Sequence, residues 1–189
     1  MMLLAITSLL APAGDGGELD QLLAEVAQGE KNALADLYRQ THHAVYGVAL
    51  SICRNVQDAE DVAQEVYLRV YHHAEHYTAS GRPIAWLSAI ARNLALMRLR
   101  ERSKVTLMEP EEWSELWQDR PAVTMEDRMV LTAVMGRLTD QERQIVVAHA
   151  AAGLKHREIA QLLELPLSTV LSKYTRALKK LRQALKEDD

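Results

Sequence analysis

Residues Gly153–Leu181, GLKHREIAQLLELPLSTVLSKYTRALKKL, decide how this chain is read. Ile159, Ala160, Leu162 and Leu163 mark one apolar stripe, and Val170, Tyr174, Ala177, Leu178 and Leu181 mark a second. Both follow the i, i+3, i+4 spacing of a helix that buries one face. Pro166 suits the first turn of the second helix, where a missing N–H is not missed. Ser168, Thr169, Ser172, Lys173 and Arg176 project from the opposite side of that helix. A short helix, a turn of about three residues, and a helix with polar and cationic residues near its start match a DNA-reading helix-turn-helix. Glu164 stands where such turns usually carry Gly, and a non-Gly residue at positive φ costs on the order of 1 kcal/mol. The expectation is a turn of different build.

Working back from the hairpin, Leu138 precedes a capping box, Thr139 with Glu142 three residues later. Strand signals are almost absent, with no sustained period-two alternation and no Asn-Gly or Asp-Gly turn. An all-α protein follows. Glu18 to Gln28 reads as a short helix ended by Gly29, and Asn32 as the cap of a second helix closed by Asn55. Asp58 opens a third, whose buried stripe is Ala59, Val62, Ala63, Val66, Tyr67, Val70, Tyr71 and Ala74. Asp61, Gln64, Glu65 and Leu68 lie around its other side, an acidic face. Pro83 starts a fourth helix with core positions Ile84, Leu87, Ile90, Ala91, Leu94 and Leu99. Trp86 reads as core rather than as a stacking platform.

Charge is segregated along the chain. The formal net charge is −4, but residues 18–80 hold 10 acidic and 4 basic groups, and residues 81–104 hold 6 basic and 1 acidic. Residues 105–128 then carry 7 acidic and 2 basic groups, and residues 129–189 carry 10 basic and 7 acidic. Such alternation implies separate partners of opposite charge. The apolar period disappears over 105–124, where Pro110 and Pro121 break any long helix, so this stretch reads as an acidic linker. Trp113 and Trp117 sit within it at helical spacing. The expected organisation is a flexible extension over 1–17, a four-helix domain over 18–104, the linker, and a helix-turn-helix domain over 125–189.

The ordered combination resembles an extracytoplasmic-function sigma factor, the smallest class of RNA polymerase specificity subunits. Three passages carry the resemblance: Asp58-Ala59-Glu60-Asp61-Val62-Ala63-Gln64-Glu65, Pro83-Ile84-Ala85-Trp86-Leu87 through Arg92-Asn93-Leu94-Ala95, and Leu138-Thr139-Asp140-Gln141-Glu142-Arg143 through Ser168-Thr169-Val170. It implies sigma-2-like and sigma-4-like domains that bind core RNA polymerase and direct promoter recognition, −10 melting and transcription initiation. By that resemblance Asp58, Asp61, Gln64 and Glu65 dock on core polymerase. Tyr77, Arg82, Arg92, Asn93, Arg98 and Arg102 hold the −10 strand. Lys155, Arg157, Ser168, Thr169, Ser172, Lys173 and Arg176 contact the −35 element. Glu109, Glu111, Glu112 and Glu115 of the linker enter the polymerase cleft. Leu171 departs from the family pattern, where a basic residue is usual. The resemblance also implies an anti-sigma partner.

Competing readings are a free-standing helix-turn-helix repressor and a sigma-like mimic that sequesters an anti-sigma protein. The overall negative charge opposes the first, since phosphate contacts supply most non-specific affinity, and the arginines of 92–102 oppose the second. An enzyme finds little support, with no Gly-rich phosphate loop and no Ser/His/Asp arrangement. His42, His43, His72, His73, His76 and Cys53 lack CxxC or HExxH spacing, so no metal and no cofactor are expected. A lone Cys53 excludes an intramolecular disulfide and suits a reducing cytoplasm. The apolar start is too short to span a bilayer and has no Lys or Arg ahead of it, so no membrane insertion and no secretion signal are expected.

Overall fold

The computed structural model describes residues 16–79, 81–101, 133 and 135–187. Among these the chain is helical, without a strand: α1 (Gly16–Ala27), α2 (Lys31–Cys53), α3 (Val56–His73), a 3-10 turn (Ala74–His76), α4 (Pro83–Glu101), α5 (Asp140–Ala150), α6 (His156–Leu163) and α7 (Leu167–Glu187). Arg102, Glu109, Glu111, Glu112, Glu115, Trp113 and Trp117 lie outside the described residues.

Helix α2 is the axis of the molecule. Every residue from Ala44 to Cys53 is buried, because this run is apolar on nearly all sides and a helix of that kind must be covered all round. Helices α1, α3 and α4 cover it, and α5 packs on it as well. Leu19, Leu23, Leu37, Leu50 and Leu87 are fully enclosed in this core. Cys53 is a buried free thiol.

Local chemistry sets the element ends. Gly29, at φ 90°, stops α1 as expected. Asn55 does not close α2; it caps α3, its side-chain oxygen accepting from Asp58 N at 2.9 Å, and Arg54 at φ 54° ends α2 instead. Helix α3 accordingly starts at Val56, not at Asp58. Tyr71 is 40% exposed and so leaves the stripe expected for it. It lies three residues from Leu68 and seven from Gln64, which places it on the solvent side of a 3.6-residue period. Pro83 opens α4, after Gly81 at φ 67°.

In the C-terminal part, Thr139 and Glu142 form the expected capping box at the start of α5. Arg143, 6% exposed, donates to Met135 O at 3.2 Å, Leu138 O at 2.9 Å and Asp140 Oδ1 at 3.0 Å. Burial pushes this guanidinium's pKa down, and neighbouring Asp140 opposes the shift. The α6–α7 turn is built in the usual way after all. Glu164 adopts the left-handed conformation, φ 55° and ψ 42°. Leu165 N donates to Ala160 O at 3.0 Å and Glu164 N to Gln161 O at 3.3 Å, which is a Schellman motif. Glu164 therefore carries strain that glycine would avoid.

The two halves of the chain touch. Helix α5 lies on α2, and α6 lies on α4. Among the described residues no helix is long and apolar enough to cross a membrane.

Candidate nucleic-acid and polymerase interfaces

The loop before α4 is pinned from behind. Tyr77 hydroxyl donates to Asp20 Oδ1 at 2.5 Å, and Gly81 N donates to Asp20 Oδ2 at 2.9 Å. One carboxylate of α1 thus shapes the loop that the family resemblance assigns to −10 DNA. Asp20 was not singled out from the sequence, because an acid on a solvated helix face gives no signal of a bond 57 residues away. Tyr77 and Trp86 rings lie 4.9 Å apart. They line a cleft of about 500 Å³ together with Arg82. Trp86 is half-buried: packed on the core by one side, as expected, and facing this cleft by another.

The basic residues of α4 do not share one face. Asn93 is exposed, and Arg92 is half-buried with Nη1 at 3.0 Å from Glu164 Oε1. Arg98 Nη2 instead sits 3.2 Å from Asp61 Oδ2 on α3. The structure thereby joins two residues expected to serve different partners.

The acidic face of α3 is real but smaller than the sequence suggested. Asp58 is 6% exposed, turned inward in the first turn, so it cannot present its carboxylate to a docking partner as the others can. Asp61, Gln64 and Glu65 border a groove of about 410 Å³ whose floor includes Leu68 and Met97. Those two apolar side chains are 56% and 47% exposed. Carboxylates around exposed apolar groups suit a protein partner that is basic and partly apolar. Met97 escaped the sequence reading because it stands off the buried stripe of α4, where an apolar residue is unremarkable by itself.

The helix-turn-helix is assembled as read. Lys155 and Arg157 are exposed at the start of α6, and Ser168 and Arg176 are exposed on α7. Thr169, Ser172 and Lys173 are half-buried between them. Ser172 hydroxyl donates to Thr169 O at 3.0 Å, so its oxygen remains free to accept. Leu171 is 45% exposed amid these polar groups. Behind the helix, Lys180 Nζ meets Glu142 Oε2 at 2.6 Å and ties α7 to the first turn of α5. His149 and His156 rings stack at 4.7 Å, both against Tyr174. His156 is held below its usual pKa by burial and then by His149.

Among the described residues, a helix-turn-helix hairpin and a second polar, cationic helix give the build of a two-part DNA-binding factor. Residues 37–105 match the family Sigma-70 region 2, and residues 128–181 match Sigma-70, region 4. The chain belongs to the sigma-70 family, and within it to the ECF RNA polymerase sigma factors. The ECF RNA polymerase sigma factor SigK of Mycobacterium ulcerans (strain Agy99) is 32% identical, over 94% of this chain and 98% of its own length. SigK of Mycolicibacterium vanbaalenii is 30% identical over 89% of each chain. Among solved structures, CnrH in complex with the cytosolic domain of CnrY has the same fold at 23% identity, with a TM-score of 0.62 over 91% of this chain and 99% of that one. The sigma factor RpoE of Bartonella quintana, in complex with the anti-sigma factor NepR, gives a TM-score of 0.60 at 20% identity, covering 82% of this chain and 98% of that one.

Proposed function

We propose that this sigma factor directs core RNA polymerase to its promoters through three separate surfaces, and that it has no catalytic activity of its own. Asp61, Gln64 and Glu65, with Leu68 and Met97, take the polymerase. The loop from Tyr77 to Arg82, with Arg92 and Asn93 of α4, takes the −10 strand. Lys155, Arg157, Ser168, Thr169, Ser172, Lys173 and Arg176 take the −35 duplex. The acidic linker with Glu109, Glu111, Glu112 and Glu115 enters the polymerase cleft, where cations meant for nucleic acid attract it. The protein works in the cytoplasm, and an anti-sigma protein restrains it.

The observation that carries this reading is the polar and cationic start of α7, seated on a hairpin whose partner domain holds an aromatic cleft beside arginines. Melting without ATP must place an unpaired base somewhere. Unstacking costs a few kcal/mol, and stacking on an aromatic ring returns about 1–3 kcal/mol per base. In this reading Tyr77 and Trp86, whose rings lie 4.9 Å apart, supply that return.

Transcription in vitro with core polymerase and a library of promoter fragments tests the whole. Specific initiation is expected; tight sequence-specific binding by the protein alone, without initiation, would instead mark a repressor. Asp61→Lys with Glu65→Lys should abolish copurification with polymerase and leave the helical content unchanged. Copurification that survives both changes would remove the docking assignment.

A further inference from the structure

The loop that the promoter reading gives to the −10 strand is held at both ends by one side chain of α1. Tyr77 hydroxyl donates to Asp20 Oδ1 at 2.5 Å, and Gly81 N donates to Asp20 Oδ2 at 2.9 Å. The two oxygens of a single carboxylate thus fix two points of the loop. Asp20 is itself firmly seated. Leu19 and Leu23 of the same helix are fully buried, and α1 packs on the 3-10 turn and on α4, the elements that flank the loop. A further contact comes from the start of α1. A β-carbon on Gly16 would stand 3.1 Å from Gly81 O, so the helix approaches the loop about as closely as a residue without a side chain permits. On Coulomb grounds a carboxylate behind a surface meant for a polyanion has the wrong sign. What Asp20 offers there is its two bonds.

We infer that Asp20 is a positioning residue for −10 recognition, holding the Tyr77 ring and the Gly81 backbone in the arrangement that receives an unpaired base. This rests on the promoter-binding reading of the loop and deepens it. Asp20 touches no DNA in this role. It acts through Tyr77, whose ring lies 4.9 Å from that of Trp86. With its hydroxyl anchored, that ring cannot swing about the Cα–Cβ bond. With Gly81 N anchored, the loop cannot drift away from the start of α4. A ring and a loop ordered beforehand lose little further freedom when a base arrives. A neutral acceptor would hold them less firmly, since a hydrogen bond to an ionised group is roughly twice as strong as one between neutral groups. That strength offsets the unfavourable sign of the charge. Selectivity follows from the same geometry. A wall locked by hydrogen bonds from behind favours the base that fits it, whereas a loose wall adapts to each base and tells them apart poorly.

The test uses the full chain assembled with core polymerase. The probes are single-stranded oligonucleotides carrying the −10 element of a promoter from which that assembly initiates, with each position varied through the four bases. Asp20→Ala should weaken binding of the preferred oligonucleotide about two- to tenfold and narrow its preference over the others, with −35 duplex binding and copurification of polymerase unchanged. Tyr77→Phe keeps the ring and loses its bond, so it should narrow the preference in the same direction and add little to Asp20→Ala. Asp20→Asn separates position from charge. Its carbonyl can accept from Gly81 N while its amide donates to the Tyr77 oxygen, so it should retain the preference of the unaltered protein. Tighter binding by Asp20→Ala and Asp20→Asn alike would mark a charge effect and overturn the proposal. Where Asp20→Ala loses helical content by circular dichroism, Gly16→Ala carries the test. It suits a helix, leaves Asp20 in place and crowds Gly81 O, and it should also narrow the preference. If the unaltered protein discriminates among the oligonucleotides and Asp20→Ala and Tyr77→Phe do so equally well, the brace is overturned and the promoter reading stands. If the unaltered assembly initiates from no promoter, the promoter reading fails and the brace falls with it.

Discussion

Replacing Lys180 with Met should loosen the recognition helix by an amount the structure allows one to work out. Lys180 Nζ meets Glu142 Oε2 at 2.6 Å, with the Glu142 side chain 5% exposed and that of Lys180 38% exposed. Breaking a fully buried pair from one side costs about 3–5 kcal/mol, because the remaining charge is stranded. Here water reaches the lysine side of the pair, and Thr139 N at 2.9 Å and Thr139 Oγ1 at 3.0 Å still donate to the carboxylate. The expected loss falls to about 1–2 kcal/mol. In a chain of this length that lowers Tm by roughly 2–8 °C. Adding Glu142→Gln should recover part of it, since Gln keeps the capping box and leaves no charge behind. A coupling of at least about 0.5 kcal/mol is expected from the double-mutant cycle. Acid gives a second reading. Burial pushes the Glu142 carboxyl up, but Lys180 and the Thr139 donors outweigh it and hold the pKa below the ordinary 4.5. A carboxyl lowered in the folded state contributes stability that is present above its unfolded pKa and lost as pH falls through the folded one. The gap between the two proteins should therefore be full at pH 7 and close below pH 4.5. Thermal melts by circular dichroism across pH measure it. Equal Tm values at neutral pH, or a gap that persists unchanged into strong acid, would refute the reasoning.

Three further outcomes are expected. Glu164→Gly should leave the helix-turn-helix as stable or up to about 1 kcal/mol more stable in urea unfolding, because glycine adopts the left-handed turn without strain; a clear loss would show that the turn is not strained. His156 is lowered by burial and by His149, so the unfolded chain takes its proton first, and stability should fall as pH drops through the ordinary 6.5 toward the folded value. His156→Gln should flatten that dependence in melts between pH 7.5 and 5.5. Lys173→Ala or Arg176→Ala should each weaken −35 binding by about 1–3 kcal/mol and alter promoter choice, with copurification of polymerase unaffected.

Elements with a strong local signature could be read from the sequence. Thr139 with Glu142, Gly29, Pro83 and the hairpin stripes each depend on neighbours within one turn, and each is found where its chemistry requires it. The misread positions depend on partners elsewhere. Asp58 satisfies the helix-start pattern equally well whether it points out or in, and only the surrounding helices turn it inward. Asp20 acts through residues Tyr77 and Gly81, for which no spacing rule exists. Glu164 was read correctly as a strained choice and wrongly as grounds for another turn. The strain was estimated without the Arg92 ion pair, which only the contact between the halves creates.

That contact also bears on the net charge of −4, which sits badly with a DNA-binding protein. Each phosphate contact steepens the salt dependence of binding by roughly one logarithmic unit, and of the arginines expected to meet DNA Arg92 is the one largely covered, its side chain 17% exposed beside Glu164. Lys155, Arg157 and Arg176, expected to meet the −35 element, remain exposed. The acidic groups of α3 meanwhile favour a basic protein over DNA. A chain so arranged is expected to bind promoter DNA weakly by itself.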